Sequence, residues 1–271
     1  MYKYLLLLLA VVLVAGGCAE FKGSPFTDIL TESKRNWNAT NIAKIQNLGL
    51  TDHFKIALIS DTHSNYNDLR DVINVLNARS DIDFVIHVGD FTNQGYNYEY
   101  DYFIEAMEKM KKPFVVVIGN HDSVGKGPSL YRQAFGSENF TIEFAKTKFI
   151  FANNNRLDFI DEGWNAQWLE NQVQNSQAKY ENLIVVHHVD ATNPYYFNEK
   201  SISDFNRLYA DDGVNWVING HLHTFNITEH SNYKQLTVPR VENGQYNVME
   251  FNAGGTNVWY CQLRKCEQVS R

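Results

Sequence analysis

Five short polar clusters punctuate this 271-residue chain: "SDTH" (60–63), "GDFTN" (89–93), "GNHD" (119–122), "HHVD" (187–190) and "NGHLH" (219–223). Each combines Asp, Asn or His, the oxygen and nitrogen donors that hold divalent transition metals. A carboxylate adds what an amide lacks, a negative charge and two equivalent oxygens able to span two cations. Thiolates do not contribute: the cysteines stand at 18, 261 and 266, too few and too far from histidine to close a structural zinc shell. Singly, each cluster also looks like an ordinary surface turn, since Gly-Asn is a turn signal.

The elements that carry these clusters change that reading. "KIALIS" (55–60), "FVIHV" (84–88), "FVVVI" (114–118), "NLIVV" (182–186) and "VNWVI" (214–218) are short apolar runs rich in β-branched residues. Helical patterns over 66–78, 99–112, near Leu130 and over 164–178 alternate with them, and "FTIEFA" and "KFIFA" predict two further strands. Such alternation predicts an α/β protein with a largely parallel sheet and covered faces. Each cluster follows the carboxyl end of one of the five runs, where open α/β sheets bind ligands. From Thr224 onward, alternating strands and Gly or Asn-Gly turns predict an antiparallel finish to the same domain.

In order and wording, the five clusters resemble the motifs of the calcineurin-like metallophosphoesterase family: Asp-x-His, Gly-Asp, Gly-Asn-His-Asp, a lone His, and Gly-His-x-His. The resemblance implies a four-layer α-β-β-α sandwich of two mixed sheets flanked by helices over 49–271, in place of one open sheet. It implies a site for two divalent ions (Mn, Zn, Fe or Ni), with Asp61, His63 and His223 on the first, Asn120, His187 and His221 on the second, and Asp90 bridging. His187 is preferred to His188 because it directly follows the apolar run. By the same resemblance His121 faces the substrate beside Asn120, and Asp122 hydrogen-bonds the other ring nitrogen of His121 as the second catalytic residue. The implied activity is phosphodiester or phosphomonoester hydrolysis, with a water shared by the two cations attacking phosphorus. Two departures are visible: Asn93 stands where the family often has Asp, and its iron-containing purple branch has Tyr there and Gly at the position of His63.

The remaining candidates have plainer readings. His87 lies within a strand and reads as a core or supporting residue, and His53 and His230 fall outside every cluster. The tyrosine-rich "YNYEYDY" (96–102) reads as a helix start packing aromatics, in preference to a base-stacking platform. The loop 190–200 follows the fourth cluster and offers Tyr195 and Tyr196 as substrate contacts.

At the N-terminus, Lys3 and the apolar run 4–15 have the proportions of a secretory signal, too short to span a bilayer. "AGGC" (15–18) resembles a bacterial lipobox, with Ala15 where Leu is usual. It implies a signal peptide over 1–17, lipidation of Cys18, a tether and entry segment over 18–48, and a membrane-anchored protein of the bacterial cell envelope; ordinary secretion is the alternative. Cys261 and Cys266 remain free to pair or not. A formal net charge of −7 excludes a basic nucleic-acid footprint. The expected partner is therefore a small or lipid-linked phosphate ester. A tethered metal- and ligand-binding protein of the same fold without turnover is the competing function.

Overall fold

The computed structural model describes residues 24–30, 35–49, 52–155, 166–176 and 179–270. The expected signal peptide and Cys18 lie outside these residues. In chain order the first half contains α1 (Trp37–Gln46), β1 (Phe54–Ile59), α2 (Tyr66–Ala78), β2 (Phe84–His87), α3 (Asn97–Met107), β3 (Phe114–Val116), a 3₁₀ turn (His121–Ser123) and α4 (Gly127–Ala134). The second half contains β4 (Phe140–Phe144), β5 (Thr147–Phe151), α5 (Ala166–Gln174), β6 (Asn182–Val186), α6 (Glu199–Asp211) and β7 (Trp216–Asn219). It ends with β8 (Asn226–Glu229), β9 (Lys234–Thr237), β10 (Gln245–Asn252), β11 (Gly255–Gln262) and β12 (Lys265–Ser270).

These strands form two six-stranded sheets, in the orders β12-β11-β10-β1-β2-β3 and β4-β5-β6-β7-β9-β8. Successive strand side chains point to opposite faces, so an apolar run without alternation must be covered on both sides. Phe54, Ile56 and Leu58 of β1 meet Phe149, Ile184 and Ile218 between the sheets. Ala57 and Ile59 of the same strand lie under Leu69, Val72, Ile73 and Leu76 of α2, which recur at helical spacing. On the far side, Val185 and Val217 pack against α5 and α6 through Leu169, Phe205 and Tyr209. Three apolar layers between four structural layers give the expected α-β-β-α sandwich. Burying each large apolar side chain in them contributes about 1.5–3 kcal/mol.

One expectation changes. The antiparallel finish divides between the sheets: β9 runs parallel to β7, while β10 pairs antiparallel with β1 through Phe54↔Phe251 and Ala57↔Val248. Within the tether and entry segment 18–48, α1 packs onto the domain. Asn38 of α1 donates to the Val116 carbonyl and accepts from its N–H, both at 2.9 Å. Because β3 is an edge strand, α1 thereby satisfies and shields a row of free backbone groups. Cys261 and Cys266 do pair, as cross-strand partners closing the β11–β12 hairpin.

Candidate metal centre

The parallel trio β1, β2 and β3 ends at one rim of its sheet, and β6 and β7 end at the facing rim of the other. The five clusters therefore converge. Donor atoms of Asp61, His63 and His223 lie within 4.8 Å of one another, as do those of His63, Asp90 and His121, and those of Asp90, His188 and His221. Asp90 and His63 each belong to two of these groups, and of the two only the Asp90 carboxylate, with two oxygens, is able to bridge. Asn120 joins the last group, its Oδ1 2.8 Å from His221 Nδ1.

The backbone is bent to achieve this. Asp61, His63, Asp90, His221 and His223 all have φ between 49° and 68°. Non-glycine residues are uncommon there, each at a cost of about 1–3 kcal/mol, and such strain concentrates at functional sites. Two glycines make room. A Cβ on Gly119 would sit 2.1 Å from Asp90 Oδ1, and one on Gly220 2.1 Å from Ser60 Oγ. Their role is close approach; neither has a positive φ.

Strand parity corrects the expected ligand His187. Ile184 and Val186 face the other sheet, so His188, two residues further on, continues their side into the centre. His187 shares the outer face with Val185 and lies against Tyr209, ring centroids 6.2 Å apart. His188 Nδ1 donates to the Val88 carbonyl at 2.7 Å, which turns Nε2 toward Asp90 Oδ2, 3.0 Å away. Both atoms are buried.

Electrostatics agree with a cation site. Burial lowers His63, and burial together with His188 lowers His221 to about 4, so both imidazoles are neutral and able to ligate. Burial opposes a charge on His188, but Asp90 outweighs it and pushes the ring up to about 9. Burial also opposes the Asp90 carboxylate, yet His188, His121 and His63 hold it well below its usual range. Without a metal, His188 and Asp90 thus stand as a buried ion pair.

The expected Asp122–His121 hydrogen bond is absent. Asp122 instead accepts from the N–H groups of Asp90, Gly119 and Thr92 and from the Thr92 hydroxyl, all at 2.8 Å. Burial and the charge of Asp90 push its carboxyl up to about 8, against those four donors. Since it only accepts, the arrangement is satisfied by the carboxylate, which ties the β2 loop to the β3 loop. His121 Nδ1 donates to the Asn93 carbonyl at 2.8 Å, leaving Nε2 free. Asn93 is held in turn by Glu99, whose carboxylate accepts from the N–H groups of Asn93, Gln94 and Tyr96. No motif announces a contact made by a main-chain carbonyl.

His87 has the supporting place expected of it. Its Nδ1 accepts from the Gly89 N–H, so Nε2–H donates to Thr62 Oγ1 at 2.8 Å and joins the first two clusters. Tyr196 packs edge-on against His221 at 4.6 Å, at the rim, and Tyr195 is 83% exposed beyond it.

A two-sheet sandwich with Asp and His clusters able to hold metal at its strand ends is the arrangement of a metallophosphoesterase, and comparison with known proteins agrees. Residues 54–225 match the family described as calcineurin-like phosphoesterase. The chain belongs to that family of phosphoric ester hydrolases. It is 25% identical over 211 residues to a probable cyclic nucleotide phosphodiesterase of Xenorhabdus bovienii, covering 67% of this chain and 77% of that protein. It is 32% identical over 91 residues to a probable glycerophosphodiester phosphodiesterase of Arcobacter nitrofigilis, covering 34% of this chain and 28% of that one. A purple acid phosphatase from yellow lupin (Lupinus luteus) shares the fold at TM-score 0.64 and 14% identity, over 82% of this chain and 53% of its own.

Proposed function

We propose that this chain is a dinuclear metal-dependent hydrolase of phosphate esters that acts on phosphodiesters in preference to monoesters. One observation carries the reading: Asp61, His63, Asp90, Asn120, His188, His221 and His223, from two sheets, cluster at the facing strand ends. Asp61, His63 and His223 would hold one cation, Asn120, His188 and His221 the other, and Asp90 would contribute to both. When bound, two divalent ions (Mn, Zn, Fe or Ni) supply Lewis acidity that lowers the pKa of a water and neutralises phosphoryl oxygens. Two dications outweigh the charges of Asp61 and Asp90, so the centre attracts anions although the chain is acidic.

The chain's own residues do the rest. Asn93 orients His121 so that Nε2 faces the site, where it holds or gives a proton at the leaving oxygen. Asp122 sets the separation of the Asp90 and Asn120 loops. Tyr196 and Tyr195 flank the entrance, where the leaving group of a small or lipid-linked ester passes. The phosphodiesterase names of both relatives support the preference for diesters. We also propose, from "AGGC" alone, that the protein is exported and anchored in the cell envelope through a lipidated Cys18.

The test is a panel of phosphomonoester, phosphodiester and pyrophosphate substrates offered to metal-stripped protein reloaded with Mn, Zn, Ni or Fe. Diester turnover that needs metal and vanishes in Asp90→Ala is the expected result. Two cations bound with no turnover of any ester would refute the hydrolase and leave a tethered binding protein. His121→Ala should keep both metals and slow turnover by about 10²–10⁴-fold.

A further inference from the structure

The tyrosine-rich stretch is only half absorbed by helix packing. Tyr100 and Phe103 of α3 are fully buried, but Tyr98 and Tyr102, one helical turn apart, are 43% and 51% exposed. They belong to a continuous aromatic face. Phe26, 69% exposed, meets Tyr96 edge-on at 5.5 Å; Tyr96 meets Tyr98 at 5.7 Å, Tyr98 meets Tyr102 at 5.9 Å, and Tyr102 meets Tyr66 at 6.2 Å. The face adjoins the metal centre, because the Tyr66 hydroxyl donates to the carbonyl of Phe91, the residue after Asp90.

We infer that this aromatic face docks on the surface of the bilayer that holds the N-terminus. The inference rests on the proposed lipidation of Cys18. Only residues 19–23 separate Cys18 from Ser24, and Phe26 is itself part of the face. Even fully extended, that stretch spans no more than about 20 Å. An acylated Cys18 therefore keeps Ser24, two residues before Phe26, within about 20 Å of the lipid surface, so the Phe26 end of the face starts close to the bilayer. Tyrosine suits the place, with an apolar ring and a hydroxyl that stays hydrated at headgroup level. The attraction is interfacial and not electrostatic: Asp101 and Glu105 share α3 with the exposed tyrosines, and the chain's formal charge is −7. Docking sets the rim of the metal centre beside the headgroups.

The protein as processed and exported by a bacterial host, mixed with phosphatidylcholine vesicles, tests this. Tyr98→Cys and, at the far end of the other sheet, Ser231→Cys each carry a polarity-sensitive dye; the native cysteines are acylated or paired. We expect protein that floats with the vesicles to show blue-shifted dye at position 98 and water-like dye at position 231. Raising salt to 0.5 M or adding anionic lipid leaves the shift unchanged. Phe26→Ser with Tyr102→Ser removes at least half of it, while hydrolysis of a soluble diester stays the same. Floating protein with water-like dye at position 98 overturns the docking and spares the anchor. Protein that does not float overturns the lipidation reading and the docking with it. Diester turnover by the same sample reports on the proposed hydrolase independently.

Discussion

The His187–His188 pair offers a decisive perturbation, because the two rings are adjacent in sequence and opposite in space. His187→Phe keeps an aromatic ring against Tyr209 and removes two buried nitrogens that have no hydrogen-bond partner. Relieving such groups gains about 1–3 kcal/mol, and the extra volume costs about the same. The net change is within about 2 kcal/mol, so Tm moves by less than about 8 °C in either direction. His188→Phe removes a proposed metal ligand and strands Asp90, whose Oδ2 lies 3.0 Å from His188 Nε2. Breaking a buried ion pair from one side costs about 3–5 kcal/mol in the metal-free protein. Metal content by mass spectrometry after dialysis, with calorimetry of the stripped forms, reads both effects. His187→Phe should retain two cations per chain. His188→Phe should retain at most one and lose more than about 100-fold in turnover, beyond what loss of a group supporting a ligand costs. Loss of metal from His187→Phe with full loading of His188→Phe would refute the parity argument and the ligand set built on it.

Three further outcomes follow from contacts described above. Gly119→Ala places a methyl 2.1 Å from Asp90 Oδ1 and 2.3 Å from its backbone nitrogen, so metal titration should show weakened loading and turnover should fall by about 100-fold or more. Asn38→Ala strips two hydrogen bonds from the edge of β3 and should cost about 1–3 kcal/mol in a urea melt, with turnover unchanged well below the transition. Replacing Cys261 and Cys266 by Ala opens a short loop, which should cost about 2 kcal/mol and lower Tm by about 4–8 °C in calorimetry. An unchanged Tm would show that strand pairing alone orders the hairpin.

What the sequence makes legible is chemistry at strand ends. Asp61, His63, Asp90, Asn120, His221 and His223 each follow a recognisable apolar run, and all reach the centre. His188 is harder to read, because β6 is apolar on both faces and a run such as NLIVV carries no mark of which parity points inward. Asp122 is misread for a related reason: adjacency to His121 suggests contact, whereas the 3₁₀ turn sends the two side chains apart. α1 shows no apolar stripe, since two of its buried residues are Asn38 and Asn41, and the Asn38–Val116 hydrogen bonds are contacts that periodicity does not register. β12 has no buried residue and exists through pairing with β11. The destination of β10 is a long-range matter that no local pattern encodes.

That destination bears on how the molecule is made. β1 lies between β2 and β10, paired with the latter from Phe54↔Phe251 to Leu58↔Asn247. One flank of an early apolar strand thus has no partner until β10 has been synthesised. Pairing across so great a sequence distance closes slowly and leaves a sticky strand edge exposed meanwhile. Maturation of this protein is accordingly a late, concerted event, with the last strands acting as the latch that completes the sheet bearing Asp61 and Asp90.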